Sequence, residues 1–165
     1  MVSLKKNLSA VILCGGKGER LRPLTSSIPK PLVQIKGRPI LGYLLEHLER
    51  FESIKHLIVA SGHKSEKIEE YFSKNPSSIE TKIVNSGDVD IIQRIQDAAA
   101  NIGGDFFVLY GDTLSNVNVN EIIKFHRSHS KKATITVWPL KSQFGLLELK
   151  KDGTVLSFKE KPTLD

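Results

Sequence analysis

The sequence predicts an α/β protein built on a doubly wound, mostly parallel sheet. Three observations predict it. Short apolar runs of strand length alternate with segments whose apolar residues recur at the helical period. The run at 106–110 (FFVLY) is apolar throughout, as in a central parallel strand covered on both faces. The run at 9–14 enters a glycine-rich turn, and ligands of such folds collect at the carboxyl ends of parallel strands.

The elements follow in order. A first strand at 9–14 leads into Gly15, Gly16 and Gly18. Ile40, Leu41, Leu44, Leu45, Leu48 and Phe51 then share one face of a helix. A second strand is expected at 56–61 and a short helix at 65–72. A third strand is expected at 81–84, and a helix at 89–102 that Gly103 and Gly104 terminate. After the apolar strand 106–110, Asn118 with Glu121 three residues on forms a capping-box pattern that opens another helix. A strand is expected at 134–138. Runs at 146–149 and 155–158 flank Asp152-Gly153, which signals an antiparallel hairpin near the C-terminus.

Composition fits one globular domain over 1–165, with 39% apolar and 25% charged residues. No apolar run approaches the ~18 residues of a membrane helix, and no secretory apolar segment follows the N-terminal lysines. No membrane partner is therefore expected. The lone Cys14 excludes an internal disulfide and agrees with a cytoplasmic location. It has no histidine beside it in sequence, so packing is favoured over nucleophilic chemistry. The net charge of +6 is dispersed over scattered lysines without interleaved aromatics, which argues against a nucleic-acid partner. His126 and His129 have metal-pair spacing, but in a polar, lysine-rich region they read as a solvated helix face.

The stretch 10–32 (AVILCGGKGERLRPLTSSIPKPL) carries the chemistry. Glycines after Leu13 let successive backbone N–H groups converge on one anion without a Cβ in the way. Arg20 and Arg22 follow, and Lys30 stands between Pro29 and Pro31, which favours an extended backbone at Lys30. The whole suits several phosphates at once. It is not the dinucleotide fingerprint, because Leu21 stands where the third glycine belongs. The Gly-Lys-Ser/Thr ending of a Walker loop is also absent. Farther on, Asp112 follows Gly111 just past the apolar strand, where one carboxylate would suffice as half of a magnesium site on a triphosphate.

These motifs resemble the signature of the sugar-1-phosphate nucleotidylyltransferases, G-G-x-G-x-R-L-x-P-L-T followed by P-K-P. The resemblance continues through LYGDTL at 109–114, FG at 144–145 and FKEKP at 158–162. It implies a Rossmann-like nucleotidyltransferase fold and the joining of a nucleoside triphosphate to a phosphorylated sugar with release of pyrophosphate. Within the family, 85–97 and 109–137 look closest to the glucose-1-phosphate cytidylyltransferases, which implies CTP. Carried over residue by residue, Arg20 and Lys30 would be catalytic and Asp112 would hold Mg2+. Leu13, Gly15, Gly16, Gly18, Glu19, Gly87, Arg94 and Gly111 would bind nucleotide. Gly145, Glu160 and Lys161 would meet the sugar. Glu19 stands where the family carries threonine, and the segment between Phe72 and Thr81 is shorter than in those relatives.

In the family the Glu-Lys-Pro motif leads into a long C-terminal part with a second metal-binding aspartate, whereas this chain stops at Asp165. A C-terminally incomplete domain is therefore expected, and the family leaves room for a homo-oligomer. Two functions follow: an active nucleotidylyltransferase, or a nucleotide-binding module that no longer catalyses.

Overall fold

Leu8–Leu13 forms β1, and all six of its residues are buried. A strand can be apolar on both faces only if both faces are covered. In the computed structural model, which describes residues 7–164, β1 pairs in parallel with β4 (Ile54–Ser61) on one edge and β6 (Phe106–Tyr110) on the other. Beyond β4 lies β5 (Glu80–Asn85), giving the order β5-β4-β1-β6, parallel throughout. Between β1 and β4 the chain forms a small ladder, β2 (Gln34–Ile35) with β3 (Arg38–Pro39), and then α1 (Ile40–Glu49). Helices α2 (Ser65–Lys74) and α3 (Ile91–Ala99) make the later crossovers.

The register shows how the sheet is covered. Val11 pairs with Ile58 and Leu13 with Ala60, so all four share one face. With Ala98 of α3 they form one buried cluster, against which Ile95, Ile102, Val84 and Phe106 pack. Ala10, Ile12, Leu57 and Val59 point the other way and are fully buried too. That leaves the buried stripes of α1 (Ile40, Leu41, Leu44, Leu45 and Leu48) and of α2 (Ile68) for the opposite face. The doubly wound arrangement read from the sequence is the one observed.

The chain divides into two compact units, Met1–Asn120 and Glu121–Asp165. Helix α4 (Val119–Arg127) begins in the first and continues into the second. Its start is as expected: the Asn118 side chain accepts a hydrogen bond from the Asn120 N–H at 3.0 Å. The second unit also contains a short ladder of β7 (Leu140–Lys141) with β10 (Thr163–Leu164). Its hairpin is antiparallel, β8 (Leu146–Leu149) with β9 (Val155–Lys159), as expected. Gly153 at φ 86 makes the turn, and the Asp152 side chain accepts from the Thr154 N–H at 2.9 Å.

Three expectations are corrected. The strand 106–110 is parallel but lies at the edge of the four-stranded sheet, with Val108 and Tyr110 exposed. A wholly apolar run signals burial, but here its second edge takes no partner strand among the described residues. Residues 134–138 form no strand. Their β-type composition does not suffice without a neighbour to share ladder bonds, and Ile135, Val137 and Trp138 are exposed. Lys30 is not extended: it opens a 3-10 turn, Lys30–Leu32, closed by Leu32 N–H to Pro29 O at 2.9 Å and Val33 N–H to Lys30 O at 3.0 Å. The extended residue is Pro29.

Leu57 is fully buried in the middle of β4. Leu57→Ala should lower the unfolding free energy by ~2–5 kcal/mol, through lost transfer energy and an unfilled cavity. Urea denaturation followed by circular dichroism would measure this.

Candidate functional site

A cleft of ≈ 640 Å³ opens at the carboxyl end of the parallel sheet, lined entirely by residues of the first unit. Residues 13–21 form one wall; Lys30, Pro31, Tyr110 and Asp112 are joined by Asp88 and Val89, which lead into α3, and by Ile91 and Arg94 of its first turns. Its position follows from the ladder. Beyond β1, Cys14 N–H still donates to Ala60 O at 2.8 Å, and Gly111 N–H donates to Leu13 O at 3.0 Å. The three strand ends therefore release their loops side by side.

The glycine loop is held from below and from the side. Gly18 takes the left-handed conformation at φ 66, which glycine adopts without steric cost. The buried Thr25 hydroxyl donates to Gly18 O at 2.8 Å. Lys64 in turn donates to Thr25 O at 2.8 Å and Ser26 O at 2.6 Å. Thr25 and Lys64 are thus supports of the loop that the sequence reading missed. Thr25 was visible inside the P-L-T motif; Lys64 carried no signal.

Gly15 is a glycine for a different reason. The guanidinium of Arg94 packs directly against it, and any Cβ at Gly15 would overlap that group. Arg94 is 5% exposed. It donates to the carbonyls of Ser61, Gly87 (2.9 Å) and Val89 (3.3 Å). A Cβ at Gly62 would come within 2.5 Å of both Arg94 Nη1 and Gly87 O. Gly111 is likewise too crowded for a side chain, lying against Leu13 O, Cys14 Sγ and Pro31.

Charged groups of both signs face the cleft. Lys30 Nζ and Asp112 Oδ2 form an ion pair at 2.5 Å, each side chain about one-third exposed. Lys17 pairs with Asp88 at 2.8 Å, and this contact holds the Asp88 carboxyl below the usual range. Neither of these two was assigned from sequence, although Lys17 sits inside the glycine motif. Glu19 stands 3.7 Å from Arg22, an exposed pair of small energetic weight. Arg20 is exposed and has no ion-pair or hydrogen-bond partner among the described residues.

The structure therefore gathers Leu13, Gly15, Gly16, Gly18, Glu19, Arg20, Lys30, Arg94 and Asp112 around one cleft. Gly111 and Gly87 stand behind it as backbone partners of Leu13 and Arg94. Among the described residues, no three His, Cys, Asp or Glu side chains gather to hold a metal. A cation here would have Asp112 as its protein carboxylate, with the remaining oxygens coming from a ligand or water, a donor set that suits magnesium on a polyphosphate.

Gly145, Glu160 and Lys161 belong to the second unit. A side chain at Gly145 would meet the Phe158 ring and approach Glu160 Oε2 to 3.1 Å. Glu160 and Lys161 are exposed, 4.0 Å apart, with Lys161 in a left-handed conformation at φ 43. In the same unit His126 Nδ1 meets Thr134 Oγ1 at 2.8 Å, and His129 Nε2 meets it at 3.2 Å. The two rings contact edge to face.

Residues 9–165 match the nucleotidyl transferase family model. The chain is 35% identical to the probable glucose-1-phosphate cytidylyltransferase of Bacillus subtilis, over 96% of this chain and 70% of that protein. It is 34% identical to the bifunctional protein GlmU of Methanocaldococcus jannaschii, over 94% of this chain and 36% of that protein. Among solved structures it resembles HddC from Yersinia pseudotuberculosis complexed with GMP-PN, with TM-score 0.66 and 28% identity. That match covers 93% of this chain and 69% of the HddC chain.

Cys14 is buried, and burial, aided by the nearby Asp112 charge, pushes its thiol up to about 12. It is therefore a neutral thiol at pH 8, whereas the thiolate is the reactive form. Iodoacetamide at pH 8 should leave the native chain unlabelled and modify Cys14 once urea unfolds it, as mass spectrometry would record.

Proposed function

The chain belongs to the nucleotidyl transferase family, and on that premise we propose that it joins a nucleoside triphosphate, CTP by preference, to a sugar 1-phosphate with release of pyrophosphate. The observation that carries this reading is the single cleft in which a glycine loop, the unpaired Arg20 and the Lys30–Asp112 pair meet.

The chemistry asked of these residues is modest. A sugar phosphate carries nearly two negative charges at neutral pH, so one of its oxygens attacks without a general base. A bond forms from that oxygen to the α-phosphorus as the bond from α-phosphorus to the bridging oxygen breaks, and the electron pair leaves with pyrophosphate. The barrier lies in bringing two polyanions together and in the charge that develops on the leaving group. The glycine loop and Arg20 hold the β- and γ-phosphates, through charge-assisted hydrogen bonds from the guanidinium. Lys30 turns from Asp112 to the α-phosphate and draws the two phosphates together. Asp112 would hold Mg2+, which would neutralise charge on the phosphate oxygens. The CTP preference rests on the likeness to cytidylyltransferases.

A second reading is nucleotide binding without turnover. Pyrophosphate release with CTP, dTTP, UTP and GTP against a panel of sugar 1-phosphates separates the two. Robust release with CTP is expected. Triphosphate binding with no release for any pair would favour the second reading, and equal rates for all four triphosphates would remove the base preference.

Within the active reading, Asp112→Asn should lower turnover by about 100-fold or more. Because Asp112 would serve turnover through the metal, and Lys30 leaves it for the phosphate, triphosphate-induced thermal stabilisation measured without divalent cation should survive. Loss of that stabilisation would mean that Asp112 organises the phosphate loop itself.

A further inference from the structure

Arg94 presents an electrostatic imbalance that its hydrogen bonds do not remove. Arg94 is nineteen-twentieths buried, yet its guanidinium donates to the neutral carbonyls of Ser61, Gly87 and Val89. No carboxylate lies within 4.0 Å of it among the described residues. The acidic groups nearest in sequence are engaged elsewhere: Asp90 accepts from the Gln93 N–H at 2.9 Å, Asp97 from Gln93 Nε2 at 2.8 Å, and Asp88 pairs with Lys17 at 2.8 Å, while the Arg94 charge acts on Asp88 and Asp97 only at longer range. A buried charge without a counter-charge is costly to a fold. This one packs against Gly15 of the glycine loop and lines the cleft.

We propose that Arg94 is a positioning residue whose buried charge, without an ion-pair partner among the described residues, makes the cleft select polyanions over singly phosphorylated ligands. The ligand's own phosphates supply the missing counter-charge. The role rests on the nucleotide reading of the cleft but differs from reading a base: the guanidinium is committed to three backbone carbonyls. Low polarity around a buried group leaves such an interaction poorly screened, so it should be substantial even without direct contact. The same three hydrogen bonds clamp the end of β4 to the loop after β5, which fixes the charge against the glycine loop.

The test uses probes with neither base nor metal: inorganic tripolyphosphate, pyrophosphate and orthophosphate, titrated calorimetrically. Arg94→Gln removes the charge and retains an amide donor, whereas Arg94→Lys retains the charge and loses the fork. In the Gln variant, tripolyphosphate affinity should fall on the order of tenfold or more and orthophosphate affinity much less. The preference for the longer anion then collapses, and its dependence on NaCl flattens. The Lys variant should keep the preference even with a lower melting temperature. A purely structural clamp predicts the reverse: both variants weaken every anion in proportion, and that result overturns the proposal. Should the Gln variant fail to fold, the Lys variant decides: a preserved preference supports the charge, and a lost one overturns it. If the wild-type chain binds none of the three anions, the inference falls. If the preference behaves as expected but no nucleoside triphosphate turns over, the catalytic reading fails and the role of Arg94 stands.

Discussion

The parallel pairing of β1 with strands on both its edges is the constraint on which the rest of the first unit depends. Leu13 is in register with Ala60 of β4 and with Tyr110 of β6. Three chains therefore leave the sheet at the same level. Their loops begin at Cys14, Gly62 and Gly111, and they crowd one another because the strands beneath are at ladder spacing. That crowding accounts for the glycines at 15, 62 and 111 better than backbone conformation does, since none of the three has a positive φ. Gly18 is the loop's conformational glycine, and Thr25 secures it.

The electrostatics of the cleft then follow from what these loops bring together. Apart from Arg20 and Arg94, each cation that faces it is matched to a carboxylate, Lys17 to Asp88 and Lys30 to Asp112. Such pairs hold side chains in place around the cleft without locking them, because partly exposed ion pairs are individually weak. A polyphosphate exchanges one set of counter-charges for another. Preorganised charge of this kind, rather than acid–base chemistry, suits displacement at phosphorus.

Most of the first unit was legible in the sequence. The helical stripe of Ile40, Leu41, Leu44, Leu45 and Leu48, the buried run of β1 and the G-G-x-G turn each reflect one local rule, and local rules survive folding. What failed depended on distant partners. The apolar run 106–110 could not announce which of its edges would be paired, and 134–138 has strand composition without a strand. Pro31 should have disfavoured a turn at Lys30, but the hydrogen bond from Leu32 N–H to Pro29 O sets the backbone instead. In the cleft, residue types were readable and partnerships were not. Lys17 with Asp88 spans seventy-one positions of sequence, and nothing in either residue's neighbourhood points to the other. Arg94 stands out in the sequence only through the family likeness, and its packing against Gly15 joins segments about eighty positions apart, which no local rule announces.

The contact between Arg94, Gly15 and Gly62 has a consequence for how the chain tolerates change. The absence of a side chain at 15 is imposed by the bulk of Arg94, and at 62 by Arg94 together with the Gly87 carbonyl, so substitutions at 15, 62 and 94 are coupled. A methyl group at 15 or 62 meets the guanidinium, while a shorter residue at 94 would vacate that space and leave three carbonyls seeking new partners. Substitution costs at these sites are therefore non-additive, as expected for residues that share a cavity and a hydrogen-bond network. Along any line of descent, alanine or serine at 15 would become accessible only after position 94 had already shrunk. The order in which mutations arrive, and not only their identity, would decide which phosphate loops this scaffold can reach.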